Sequence, residues 1–282
     1  MKKSLVRAIW WGVVVGIWIV VLVYIFNREP RRVEVPKVAP TPTPTVVAEK
    51  PFKFGVMADV HMNWTDWRKL LKTSKEKGEE LILVAGDMTS LGKKNELLAA
   101  KKVLDESGVN YMVVPGNHDM WESDRIKKSL FEEVFGKEYQ SFKRSSDKFI
   151  LVNNGRATGL GIVQRRWLEG EVKECKQIHC MVIMHMPLNH NLSAHIMGEK
   201  NKKVTQEAQE LIKLFKDNGV VDILAGHLHY SGSYELEGLR TSLVGAVTRE
   251  RNTQTPRYTE FALIGGQLER LVIEGEANDI GD

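Results

Sequence analysis

Asp59 with His61, Asp87, the run Asn117-His118-Asp119, His185, and His227 with His229 are the residues whose types and spacing could do chemistry in this chain. Carboxylate, imidazole and amide-oxygen donors together suit divalent Mn, Fe, Zn, Ni or Co, and no thiolate stands among them. A proton donor, an amide and a carboxylate crowded together, as in Asn117-His118-Asp119, are costly to place unless they act on something.

Each group closes a short apolar run that reads as a buried strand. Phe52–Met57 runs into Asp59-Val60-His61, and Leu81–Ala85 into Gly86-Asp87. Tyr111–Val114 stops at Pro115-Gly116 and delivers Asn117, His118 and Asp119 onto a tight loop. Met181–Met184 runs into His185, and Asp222–Ala225 into Gly226-His227-Leu228-His229. Helical patterns alternate with these runs. Thr65 and Asp66 can cap a helix through Lys77, stopped by Gly78, and Asn95–Glu106 repeats apolar residues at helical spacing up to Gly108. Further helices are expected over Asp124–Phe135, Gln164–Glu174 and Thr205–Lys216, and a strand over Phe149–Val152. The C-terminal part reads as β, with strands over Ser233–Leu236, Thr241–Val247, Phe261–Ile264 and Leu268–Ile273, and turns at Glu237-Gly238 and Gly265-Gly266.

Taken in order, Asp-x-His (59–61), Gly-Asp (86–87), Gly-Asn-His-Asp (116–119), the lone His185 and Gly-His-x-His (226–229) resemble the calcineurin-like metallophosphoesterase family. The resemblance covers roughly residues 52–274 and implies an α/β fold in which a two-sheet β-sandwich is flanked by helices. It implies that Asp59, His61 and His229 hold one divalent ion, that Asn117, His185 and His227 hold a second, and that Asp87 bridges the two. The implied activity is phosphoester hydrolysis by a bridging hydroxide, with His118 protonating the leaving group or bracing the phosphate and Asp119 orienting His118. Purple acid phosphatases place a tyrosine three residues after the bridging aspartate. Here that position is Ser90, so a tyrosinate-bound ferric ion is not expected. A phosphodiesterase of cyclic nucleotides or phospholipid headgroups is the sister reading. An inactive, membrane-tethered binding protein on the same fold is the rival; missing ligands would mark it, and all seven are present.

His179, His190 and His195 match no motif and read as ordinary loop or strand-edge residues, although His190 and His195 follow a candidate ligand closely enough to line a substrate mouth. Cys175 and Cys180, the only two cysteines, do not have the spacing of a zinc site and are expected to be unpaired thiols; a bridge would suit an oxidising compartment.

The 282 residues suffice for one large α/β core or two small ones. The net charge of +4 is unevenly placed: residues 1–50 hold eight Lys/Arg against three Asp/Glu, and the remainder 32 against 33. A nucleic-acid binder would carry its basic surplus on the folded part, so the balance gives that class no support. Beyond a short tail (1–7), residues 8–26 are nineteen positions without a charge. As a helix they span about 28 Å, close to the hydrocarbon thickness of a bilayer, and no small-residue cleavage site follows. An uncleaved single-pass membrane anchor is expected. Residues 27–51 hold most of the chain's prolines around Pro40-Thr41-Pro42-Thr43-Pro44-Thr45, a semi-rigid stalk. Positive charges flanking the apolar stretch nearly balance, so the Pro/Thr stalk alone favours placing the catalytic domain, residues 52–282, outside the cytoplasm.

Overall fold

The structure, a computed structural model, describes residues 10, 16–25, 51–144, 147–264 and 267–274. The chain divides into two compact units, Met1–Ala48 and Glu49–Asp282. In the first, residues 16–25 are helical and exposed. Among the described residues no helix is long and apolar enough to cross a membrane. The expected anchor over 8–26 lies partly outside the described residues, and the 1–7 tail and all of the 27–51 stalk but Pro51 lie wholly outside them.

The second unit is built on two sheets. In chain order its strands are β1 (Phe52–Met57), β2 (Leu81–Ala85), β3 (Tyr111–Val114), β4 (Gln140–Arg144), β5 (Asp147–Val152), β6 (His179–Met184), β7 (Asp222–Ala225), β8 (Ser231–Leu236), β9 (Leu239–Val244), β10 (Arg257–Ile264) and β11 (Gln267–Glu274). One sheet runs β11-β10-β1-β2-β3 and the other β4-β5-β6-β7-β9-β8. In the first, β1, β2 and β3 are parallel; in the second, β5, β6, β7 and β9 are. The antiparallel strands lie toward the edges.

The helices are α1 (Trp64–Glu76), α2 (Lys94–Ser107), α3 (Asn117–Ile126), α4 (Leu130–Phe135), α5 (Gly161–Glu171) and α6 (Lys202–Asn218), with a 3-10 turn at Val172–Lys176. Period-two alternation along the central strands explains the layering, since both faces of a parallel strand are covered. In β6, Met181 and Ile183 join Phe54, Leu83, Phe149 and Phe261 in the core between the sheets. The alternate Val182 and Met184 pack instead with Leu168, Leu211 and Phe215 of α5 and α6. Trp67, Leu70, Leu97 and Leu104 of α1 and α2 cover Ile82 and Val84 of the other sheet. The result is a helix–sheet–sheet–helix sandwich.

Several sequence expectations need correction. Asn117–Asp119 is not a loop: it is the first turn of α3, and the helix expected over 124–135 is two helices. The reason is local, because the Asp119 carboxylate reaches back three residues to accept from the Gly116 amide at 3.0 Å and so nucleates the helix at Asn117, seven residues before the expected start. Helix α1 is capped by Asn63, whose side chain accepts from the Asp66 amide, rather than by Thr65 or Asp66. Strand β4, polar and at a sheet edge, had no alternation to betray it. The turn at Glu237-Gly238 forms as expected, both residues taking positive φ, whereas Gly265-Gly266 lies outside the described residues. Cys175 and Cys180 are not free thiols but a disulfide. The 3-10 turn folds back directly into β6 and brings their Cα atoms to 5.4 Å, within bridging reach.

Candidate metal centre

Because β1, β2 and β3 are parallel to one another, as are β6 and β7, their C-terminal ends gather at one edge of the sandwich, and the candidate residues sit there. Three overlapping groups have donor atoms all within 4.8 Å of one another: Asp59, His61 and His229; Asp87, His185 and His227; and His61, Asp87 and His118. The pairwise contacts are short. His61 Nε2 faces His229 Nε2 at 3.1 Å, and His185 Nε2 lies 3.1 Å from both His227 Nδ1 and Asn117 Oδ1. Donors on one ion at about 2.1 Å each stand roughly 3.0–3.4 Å apart, so these separations fit convergence on a cation.

Asp87 joins the two sides. Its Oδ2 lies 3.1 Å from His185 Nε2 and 3.7 Å from His61 Nε2, while its Oδ1 accepts from the His118 amide at 2.8 Å, at the N-terminus of α3. The helix N-terminus thus holds one oxygen and leaves the other for the cluster. Asp59 is fully buried, and both its oxygens accept from the His227 amide, tying the first motif to the last.

The imidazoles are pre-oriented by carbonyl oxygens. His185 Nδ1 donates to Ala85 O at 2.8 Å, and His229 Nδ1 to Glu250 O at 2.8 Å. A carbonyl only accepts, so Nδ1 carries the proton and the Nε2 lone pair faces the cluster. Asp59, His61, Asp87, His227 and His229 all have φ between 44° and 70°. Such left-handed geometry costs on the order of 1–2 kcal/mol per non-glycine residue and is the kind of strain that gathers at functional sites. Glycines allow the close approach of the turns. A Cβ on Gly116 would stand 2.1 Å from Asp87 Oδ1, and one on Gly86 would stand 2.6 Å from Gly116.

Among themselves these buried groups are electrostatically discordant. Burial pushes the Asp59 carboxyl up to about 6 and drives His61 down to about 4. Burial also opposes a charged His185, yet the Asp87 carboxylate beside it lifts the ring to about 9. His227 is forced well below its ordinary value by burial and by His185. A divalent cation would resolve the discord by neutralising the carboxylates and taking the imidazoles as neutral donors.

Asp119 is placed differently from expectation. His118 is held at Nδ1 by the Ser90 carbonyl at 2.7 Å, and its ring packs edge-on against His61 and Trp121. The fully buried Asp119 does not orient that ring. Its carboxylate accepts from the amides of Gly116, Met88 and Thr89 and from the Thr89 hydroxyl, locking the β2 and β3 turns together. Of the unmatched histidines, His195 stacks on His227 with ring centres 4.1 Å apart. His190 packs on Tyr234, and His179 lies at the far end of β6 between Asp147 and Asp222. Asn154 was missed. Its Oδ1 accepts from the amides of His185 and Met186, fixing the turn that presents His185. The available signal was the apolar run 149–152 ending in Asn153-Asn154, which repeats the pattern of the motif strands.

A family model described as calcineurin-like phosphoesterase matches residues 52–231. The chain belongs to that family. The phosphoesterase fold is shared with GAP50, described as the anchor in the inner membrane complex of Plasmodium, at 12% identity and a TM-score of 0.59, covering 82% of this chain and 87% of that one. It is shared also with the purple acid phosphatase PPD1 of yellow lupin (14%, TM-score 0.60, 82% and 53%) and with a Thermus thermophilus protein, TT1561 (16%, TM-score 0.53, 79% and 99%).

Proposed function

We propose that the chain is a metal-dependent phosphoesterase with a dinuclear centre, and that its N-terminal apolar stretch anchors it in a membrane with the catalytic domain outside the cytoplasm. One observation above all supports the dinuclear reading: Asp87 Oδ2 is aimed between His61 on one side and His185 on the other. Asp59, His61 and His229 would hold one ion, Asn117, His185 and His227 the other, with Asp87 common to both. The nitrogen- and oxygen-rich donor set suits Mn, Fe, Zn, Ni or Co. When bound, such ions supply charge relief on the phosphoryl oxygens and an activated water. His118 overhangs the cluster with Nδ1 committed to Ser90 O, so its Nε2 is the atom that hands a proton to the leaving oxygen. Asp119 keeps the two ligand-bearing turns in register. The buried disulfide suits an oxidising exterior, and the uncharged 8–26 stretch supports the anchor.

The test is an aryl phosphate assay with parallel metal analysis. Chelation should abolish turnover, and Mn or a similar ion should restore it. Asp87→Asn should lower bound metal and rate together. Undiminished turnover in metal-free protein would overturn the reading.

A further inference from the structure

Two cavities meet at the centre. One, of about 390 Å³, lies over the cluster itself and includes His61, Asp87, His118 and His229 in its wall. The other, of about 290 Å³, opens beside it between the end of β5 and the loop that follows β6. They share Asn117, Trp121, His195, Lys200 and His227, so they are two parts of one cleft.

The side chamber has a character of its own. Trp121, Ala157, Met186, Ile196 and Val204 contribute apolar wall. Its ionic side chains are largely compensated within the wall: Arg156 pairs with Asp124 and Glu138, and Glu199 with His195. Lys200 makes no salt bridge among the described residues, although its charge acts on the neighbouring Glu199, and it lines both parts of the cleft. Trp121, 57% exposed, also lines both parts, with its ring against His118. An engineered apolar cavity of about 150 Å³ holds benzene, so this chamber has room for a two-ring arene or an alkyl group of similar bulk.

We infer that the chamber receives the organic group of the substrate, and hence that the preferred substrates are phosphoesters of apolar, bulky alcohols rather than of small or polar ones. The inference rests on the phosphoesterase reading. With phosphorus over the cluster and the ester oxygen toward His118, the group beyond that oxygen runs along the Trp121 face into the chamber. Ala157, Ile196 and Val204 set how large it can be, and burial of its apolar surface supplies the discrimination.

The experiment compares 2-naphthylmethyl phosphate with methyl phosphate on the Mn-loaded full-length chain. Both release a primary alcohol, so the chemistry is alike and the organic group differs. The expected kcat/KM is at least tenfold higher for the naphthylmethyl ester. Ala157→Phe and Ile196→Phe, which add bulk at the chamber wall, should each remove most of that advantage. Equal kcat/KM for the two esters in the wild type, or an equal loss on both in folded variants, overturns the inference. Calorimetric binding of 2-naphthylmethylphosphonate and methylphosphonate gives a second readout that needs no turnover. If neither ester is hydrolysed and the aryl phosphate is not either, the phosphoesterase reading fails, while the phosphonates still judge the chamber: tenfold tighter naphthylmethyl binding sustains it and equal binding overturns it.

Discussion

The ring of His118 is fixed by the backbone of the loop that follows β2, its Nδ1 donating to the carbonyl oxygen of Ser90 at 2.7 Å. The bond leaves Nε2 as the working atom and makes the ring's aim independent of the ions. His118→Ala should therefore retain its metal while turnover falls by about 10²–10⁴. The loss should be largest for esters of weakly acidic alcohols, which need the proton most. Metal analysis alongside a leaving-group series checks this, and loss of metal in the variant would place His118 among the ligands instead.

Gly116 is where the β3 turn crosses Asp87. A Cβ there would stand 2.4 Å from the Asp87 amide as well as meeting its carboxylate. Gly116→Ala should displace that carboxylate, weakening metal binding at least tenfold and costing about 1–3 kcal/mol of stability through overpacking. Titration with Mn and chemical denaturation measure the two effects. Unchanged metal affinity would show that the Asp87 position is not critical.

A pH effect is expected at the opposite end of the second sheet. Hydrogen bonding to Asp222, and then to Asp147, raises the His179 imidazole above its ordinary value against the effect of burial. Folding thus favours the charged ring, so its contribution is fully present below the unfolded value of about 6.5 and fades as pH rises through the folded one. The melting temperature of the wild type should exceed that of His179→Gln most at mildly acidic pH, and the gap should close toward alkaline pH. A gap that widens with pH would contradict the assignment.

Topology can be tested on intact cells. If the domain lies outside, added protease should cut within residues 27–51 and release an active fragment, since proline-rich backbone offers few amides to stable structure. Release only after membrane disruption would place the domain in the cytoplasm.

Much of the site was legible because ligands at strand ends leave a linear trace: a buried parallel strand is a continuous apolar run, and its C-terminal residue is where the polarity breaks. Asp59, Asp87, His185 and His227 all follow that rule. Asn154 follows it too, yet it carries no motif, and its role appears only through the two amides it accepts. The disulfide depended on how sharply the chain re-enters β6, which a five-residue separation does not determine. The early start of α3 depended on a bond from Asp119 back to Gly116, set within a turn that the residue types alone read as loop.

His61 and His229 meet at 3.1 Å although 168 positions separate them along the chain. A ribosome must have passed residue 229 before that cluster can close, so no early fragment holds the full donor set. Any ions such a centre holds would then be collected at the end of biogenesis, from whichever compartment the finished domain folds in. Binding strength across these metals follows an order that the donors alone do not override. The cellular address of folding, more than the preference of the side chains, would then decide which metal such a centre receives.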